Sequence, residues 1–263
     1  MISLLNPRNF AYHLRTRRLR RGPEIVQVDF LDTRILVKAR EDVGRNMALG
    51  EFELDDLKYF FSKIAGNDVI FDIGANVGAY SVPMAKSFPT AKVFAFEPIP
   101  LNYSLILASS RINRLGNLFI IEQCLSDESG TNSFSIAEDS AYSSMIDTRR
   151  KGVSETVSVR TASLQDFCNE NDCYPTVIKM DVEGAEMKVL KGAEAIFSEK
   201  KISPRMVMIE LYDQNLRMFG TSIDEIVSLM NSYGYSPNVI IDGIKKEFLR
   251  DHHNIYYNVF FEK

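Results

Sequence analysis

Apolar positions along the chain repeat with two periods, close to two and close to three and a half, and the two alternate from end to end. Ile25 to Phe30 and Arg34 to Lys38 flank Asp32-Thr33 and predict a β-hairpin. After Gly50-Glu51-Phe52-Glu53, the spacing of Leu54, Leu57, Phe60, Phe61 and Ile64 predicts a helix with one apolar face, stopped by Gly66-Asn67. Val69 to Ile73 then reads as a short buried strand broken only by Asp72, and Gly74 to Gly78 as a tight turn into another helix. Pro83 restricts the start of that helix to about Ala79–Val82, because proline is tolerated only where its missing N–H costs no bond.

The alternation continues. Lys92 to Glu97 predicts a second strand, followed by Pro98, Pro100 and a helix through Leu101, Leu105, Leu107 and Ile112. Leu118 to Glu122 predicts a third strand, and residues 131–161 short β segments in a long loop around Ser140-Ala141-Tyr142-Ser143-Ser144. Leu164 to Cys168 reads as a short helix, Val177 to Asp181 as a fourth strand, Met187 to Phe197 as its helix and Met206 to Leu211 as a fifth strand. Ser222 with Glu225 three residues on is a capping box for a helix through Ile226, Leu229 and Met230. Val239 to Ile241 and Tyr256 to Phe261 supply two last strands, divided by Gly243 and a charged turn. Strand–helix alternation of this kind predicts an α/β, Rossmann-like doubly wound sheet of seven strands, mostly parallel with an antiparallel edge strand. The expected organisation is a basic arm at 1–23, a hairpin and helix extension at 24–66, and the main domain at 67–263.

Composition changes this picture little; charge placement changes it more. At 263 residues and 45% hydrophobic the chain has enough apolar material for a large core. A net charge of -4 gives no support to a nucleic-acid partner. Six of the basic residues, Arg8, Arg15, Arg17, Arg18, Arg20 and Arg21, stand in an N-terminal stretch without a single acid. That arm reads as a solvated basic tail or surface helix, as a transit peptide, or as a peripheral contact with an anionic membrane or with a phosphate-bearing acceptor. Cys124, Cys168 and Cys173 are too few and too irregular for a disulfide framework, which points to a reducing, cytoplasmic setting.

The chemistry is written at the strand ends. Asp72, Glu97, Asp181 and Glu210 each close a predicted strand, and in a parallel sheet all four would gather at the carboxyl edge, where open α/β sheets bind their ligands. A lone acid in such a place is equally well a helix cap; four beside a glycine loop favour a ligand site. The loop spacing is Gly74-x-x-x-Gly78, short of the third glycine of a dinucleotide fingerprint, and an acid-rich rim is a poor phosphate cradle. It suits a cationic cofactor with a ribose: Glu97, 19 residues beyond Gly78, would accept from both ribose hydroxyls, and Asp72 would meet an ammonium group directly or through water. S-adenosylmethionine has the ribose, the ammonium and a sulfonium.

Five motifs in order, Asp72-Ile-Gly-Ala-Asn-Val-Gly78, Phe96-Glu97-Pro98-Ile-Pro100, Leu125-Ser126-Asp127, Ser143-Ser144 and Asp181-Val-Glu-Gly-Ala-Glu186, resemble those of the FkbM family of class I methyltransferases. Gly50-Glu51-Phe52-Glu53 and the closing Asn258-Val-Phe260 are also similar, so the resemblance spans roughly residues 45 to 261. It implies cofactor binding by Asp72, Gly74, Ala75, Asn76, Gly78, Glu97, Pro98 and Asp181, with Ser126 and Asp127 beside the adenine. It implies methylation of oxygen on a glycan or small-molecule hydroxyl. Such an acceptor gains from a base. His13, His252 and His253 are poorly placed for that role, so Asp181, Glu183 and Glu210 are the candidates for base or acceptor hydrogen bonding. Asp181, Glu183 and Glu186 also admit a metal reading, which we set aside because Glu186 is expected to point away along its helix. The rivals are a nicotinamide-dependent oxidoreductase and a non-catalytic module with the same fold.

Overall fold

The structure is a computed structural model, and it describes residues 22–251 and 256–263. The arginine-rich arm up to Arg21, His13, His252 and His253 lie outside the described residues. Strands β1 (Ile25–Phe30) and β2 (Thr33–Lys38) form the expected hairpin, followed by helices α1 (Asp42–Leu49) and α2 (Leu54–Ser62). The apolar spacing does not predict α1, because it is short and holds Gly44 inside it. That glycine is required by contact: a Cβ there would lie 2.3 Å from the carbonyl oxygen of Lys38 on β2.

The main sheet has eight strands. Beyond β3 (Val69–Ile73), β4 (Lys92–Phe96) and β5 (Leu118–Ile121) on one side stand β9 (Val177–Met180) and β10 (Met206–Tyr212) on the other. These five are mutually parallel, with Asp72 in register with Ala95 on β4 and Lys179 on β9. The sheet ends in β13 (Tyr256–Glu262), β11 (Ser236–Ile241) and β12 (Ile244–Glu247), in that order outward from β10. Two expectations are corrected here. The antiparallel Tyr256–Glu262 strand lies inside the sheet, between β10 and β11, and the charged turn after Gly243 is itself a strand that forms the antiparallel edge. A run of Lys, Lys and Glu carries no apolar signal, yet such residues suit an exposed edge that must not pair further.

Residues 131–161 also depart from the expected short segments. They form a long antiparallel pair, β7 (Gly130–Ala137) with β8 (Val153–Ser163), joined by β6 (Cys124–Ser126) into a separate three-stranded sheet. That hairpin projects the loop 138–152 over the carboxyl edge of the main sheet.

Side-chain alternation on each parallel strand builds two cores. Ile70, Val93, Val177 and Met208 face one side, where α3 (Ser81–Ser87), α4 (Pro100–Asn113), α2 and the β1–β2 hairpin supply Met84, Ile106, Phe60 and Ile35. Phe71, Phe96, Ile178 and Ile209 face the other, against α5 (Leu164–Asn171), α6 (Glu186–Lys191), α7 (Glu194–Ser198), α8 (Asp213–Met218) and α9 (Ile223–Ser232). Helices on both faces of a parallel sheet give the Rossmann-like architecture. Pro83 falls in the first turn of α3, and Ser222 caps α9 by accepting from the Glu225 N–H at 3.3 Å.

Candidate functional site

The loop after β3 is built from left-handed backbone. Gly74, Asn76 and Gly78 have φ of 80°, 51° and 84°, which glycine adopts freely and asparagine tolerates. Gly74 and Ala75 donate their N–H groups to the Phe96 carbonyl, so the loop folds back over the end of β4. There Glu97 closes it: one carboxylate oxygen accepts from the Asn76 N–H at 2.8 Å, the other from the Ile99 N–H at 2.9 Å and the Asn102 amide at 3.4 Å. Burial outweighs these donors and pushes the Glu97 carboxyl up to about 7.

Loop and strand ends line a cavity of ≈ 320 Å³, within the size range of small-molecule sites. Gly74, Ala75, Asn76, Glu97, Pro98 and Asp181 all line it, and so do the candidate catalytic residues Glu183 and Glu210. Four expected cofactor residues do not. Asp72 is fully buried behind the loop, where it accepts from the Ser81 hydroxyl and ties β3 to the first residue of α3. Gly78 serves packing, since a Cβ on it would meet Val82 at 3.0 Å and Ile106 at 3.3 Å. Ser126 donates to Asp127 at 2.8 Å, and Asp127 pairs with Lys188 at 3.0 Å. The turn still reaches the cavity, but through Gln123, Cys124 and Leu125, because the residues around Gly192 pack directly on Ser126.

Asp181, Glu183 and Glu210 bring carboxylate oxygens within 4.8 Å of one another. Glu186 is turned away, accepting from the Gly184 N–H at 3.1 Å and the Val182 N–H at 3.3 Å. Like charges this close in a buried place raise one another. Burial, then the Asp181 charge, pushes Glu183 up to about 8 and holds Glu210 well above the usual carboxylate range.

Two cations offset them, and the apolar pattern points to neither. Lys179, two residues before Asp181 on β9, places its ammonium 3.3 Å from Asp181 and 3.7 Å from Asp72. Burial alone would lower it, but Asp181 and Asp72 outweigh burial and hold it above the usual lysine range. Arg150, from the 138–152 loop, binds Glu183 at 2.7 Å and lies between the rings of Tyr142 and Tyr212, 4.2 Å and 4.3 Å from their centroids. A lysine on a buried strand is the one legible sign in the sequence. A contact made across a long loop has none.

Acids still outnumber cations around the cavity, which favours a positively charged ligand. A Cβ at Gly74 would lie 1.8 Å from the Asp181 carbonyl oxygen, so the glycine lets the loop pack directly against the backbone after β9, and a buried Asn76 side-chain oxygen has no hydrogen-bond partner among the described residues. These features fit a ribose-bearing sulfonium. Residues 72–237 match the model of the methyltransferase FkbM domain.

The chain belongs to this family.

This FkbM-family chain is a methyltransferase, and its cofactor is S-adenosylmethionine. It is 28% identical to hexuronic acid methyltransferase AglP of Haloferax volcanii over 65% of its own length and 69% of that protein. With 2-O-methyltransferase NoeI of Sinorhizobium fredii the identity is 28%, over 63% and 72% respectively. With 31-O-demethyl-FK506 methyltransferase FkbM of Streptomyces tacrolimicus it is 24%, over 64% and 73%. Among solved structures the fold resembles that of M. jannaschii TYW2 in complex with AdoMet, at 14% identity and a TM-score of 0.49, over 92% of this chain and 88% of that one. Family membership displaces the nicotinamide alternative. Among the described residues no helix is long and apolar enough to cross a membrane.

Glu97 allows a direct check on this FkbM-family site. Glu97→Ala is expected to weaken S-adenosylhomocysteine by about 1.5–3 kcal/mol, the worth of charge-assisted hydrogen bonds. A carboxylate accepts from two hydroxyls best when ionised, and burial pushes the Glu97 carboxyl up to about 7. Wild-type affinity is therefore expected to fall as pH drops from 8 to 6, and Glu97→Gln to lose that slope. Calorimetry across this range decides it; unchanged affinity in the alanine variant refutes the role.

Proposed function

We propose that this methyltransferase modifies oxygen, on a hydroxyl of a sugar or another small polyhydroxylated acceptor. The observation that carries the reading is the carboxylate group facing the cavity, with Asp181 at its centre. Hydroxyls are weakly acidic, so transfer to oxygen gains from a base that takes the proton as the new bond forms, whereas a neutral amine needs none at that moment. The cofactor supplies a methyl group made electrophilic by the positive sulfur.

The residues divide the remaining work. Burial, then the neighbouring Asp181 and Glu183 charges, hold Glu210 well above the usual carboxylate range, and Asp181 takes the role of proton acceptor in this group. Lys179, 3.3 Å away, balances the Asp181 charge. Glu183 sits at φ 53°, where Arg150 at 2.7 Å and the amide of Asn215 fix its carboxylate, and it is suited to hold a second acceptor hydroxyl. Ser144 donates to the Glu183 carbonyl at 2.9 Å and so ties the 138–152 loop to the same turn. Rigid placement of acceptor and methyl donor supplies much of the acceleration, and that loop, fastened at both edges of the cavity, is built for placement. The names of two relatives, a hexuronic acid methyltransferase and a 2-O-methyltransferase, support a sugar acceptor.

The test is turnover against a panel of uronic acids, neutral glycosides, macrocyclic alcohols and amines, followed by release of S-adenosylhomocysteine and by NMR of the product. The expected product is a methyl ether. Methylation confined to nitrogen or carbon sinks the proposal.

A further inference from the structure

The amino-acid end of the cofactor carries one ammonium and one carboxylate; Asp72, expected to meet the ammonium, does not line the cavity, and the carboxylate has no assigned partner. Glu97 and its donors Asn76, Ile99 and Asn102 form one polar group in the cavity. A second, sharing no hydrogen bond with it, is centred on Tyr80, the residue just before α3.

Glu53 belongs to this second group although it comes from the N-terminal extension. Its backbone is left-handed, φ 38° and ψ 37°, immediately before the first residue of α2. That conformation is unfavourable for any residue with a Cβ, and the Glu53 side chain makes no cap for the helix. It turns the carboxylate into the cavity instead. There Glu53 accepts from the Tyr80 hydroxyl at 2.8 Å and lies 3.5 Å from the Tyr256 hydroxyl. A carboxylate has about four acceptor positions, so capacity remains for a cation.

Lys179 lies on the other side of Tyr80, with its ammonium 5.4 Å from the ring centroid. It donates to the Gly74 carbonyl at 3.2 Å and to Asp181 at 3.3 Å. An ammonium has three N–H groups, and the nearby Asp72 oxygen at 3.7 Å is beyond hydrogen-bond reach. That Asp72 oxygen is a buried, unpartnered acceptor at this same end. A ligand carboxylate entering so acidic a cavity needs a cation. Arg150 is committed to Glu183 and two tyrosine rings, which leaves Lys179 among the described residues that line it.

We propose that Glu53 and Lys179 seat the amino-acid end of S-adenosylmethionine, Glu53 taking the α-ammonium and Lys179 the α-carboxylate, with Tyr80 holding Glu53 in place. The proposal rests on the cofactor assignment above. It makes the N-terminal extension part of the cofactor site: the segment ahead of the glycine loop supplies one of the two charges.

Truncated ligands separate this subsite from the ribose site. 5′-Methylthioadenosine keeps the nucleoside and lacks the whole amino-acid end; S-adenosyl-3-thiopropylamine lacks only the carboxylate. Glu53→Gln is expected to weaken S-adenosylhomocysteine about 10- to 100-fold, as for loss of a charge-assisted contact, and to leave 5′-methylthioadenosine within about twofold. Lys179→Met should weaken S-adenosylhomocysteine and spare S-adenosyl-3-thiopropylamine. Tyr80→Phe, which keeps the ring and removes only the hydroxyl, should show the Glu53→Gln pattern more weakly. Calorimetry on the full chain, with circular dichroism to confirm folding, reads all three. Equal loss for S-adenosylhomocysteine and 5′-methylthioadenosine in Glu53→Gln overturns the proposal, as does lost turnover with unchanged S-adenosylhomocysteine affinity, which would make Glu53 an acceptor-side residue. Failure of the wild-type chain to bind any of the three ligands would instead overturn the cofactor assignment and the subsite with it.

Discussion

Asp181→Asn is expected to lower turnover by about 10²- to 10⁴-fold, the usual worth of a positioned base, while changing S-adenosylhomocysteine affinity by less than about tenfold. The amide keeps the size of the side chain but has no charge with which to accept the hydroxyl proton. It also removes the charge beside Glu210 and leaves Lys179 without the carboxylate oxygen at 3.3 Å. Because Lys179 is buried and Glu210 half-buried, part of the cost will appear as stability, so turnover and melting temperature are measured together. Single-turnover rates with saturating cofactor separate the chemical step from binding. Wild-type rates in a correctly folded Asp181→Asn chain would move the base to Glu183 or Glu210.

Gly74→Ala is the second large effect. At φ 80° a Cβ costs roughly 1–2 kcal/mol in backbone energy, and here it would also lie 1.8 Å from the Asp181 carbonyl oxygen and 2.9 Å from its carbon. Both are backbone atoms of a neighbouring strand end, so neither can swing aside. The loop or β9 must move, and overpacking of that kind adds about 1–3 kcal/mol. The expected outcome is a melting temperature lowered by roughly 5–15 °C, at about 2–4 °C per kcal/mol for a chain of this size, together with loss of measurable cofactor binding. Gly50→Ala is the control. Its φ is 74° with nothing within 4 Å, so it carries the backbone cost alone. If the two variants melt together, close approach at Gly74 is not what the loop requires.

Legibility of the site followed the range of the interactions that make it. Gly74, Asn76 and Gly78 stand out in the sequence because left-handed backbone restricts residue type locally, and Glu97 stands out because a strand end is a local event. Asp72 stands out for the same reason, but its depth does not: it accepts from Ser81 behind the loop, while Lys179, its register partner on β9, reaches the cavity. The Ser126-Asp127 turn is equally legible, yet the packing of Gly192 on Ser126 leaves the cavity lining to Gln123, Cys124 and Leu125.

Sequence alone determined the strand–helix alternation, the glycine loop, the acids at its rim and, through five ordered motifs, the family and its cofactor. Periodicity and residue-specific backbone preference act over a few residues, so they can be read along the chain. Tertiary structure decided the rest: that β13 enters between β10 and β11, that Arg150 crosses from a distant loop to Glu183, and that Lys179 and Glu53 converge on Tyr80. Each of these joins residues far apart in the chain, and no local pattern records a contact that exists only once the sheet has assembled.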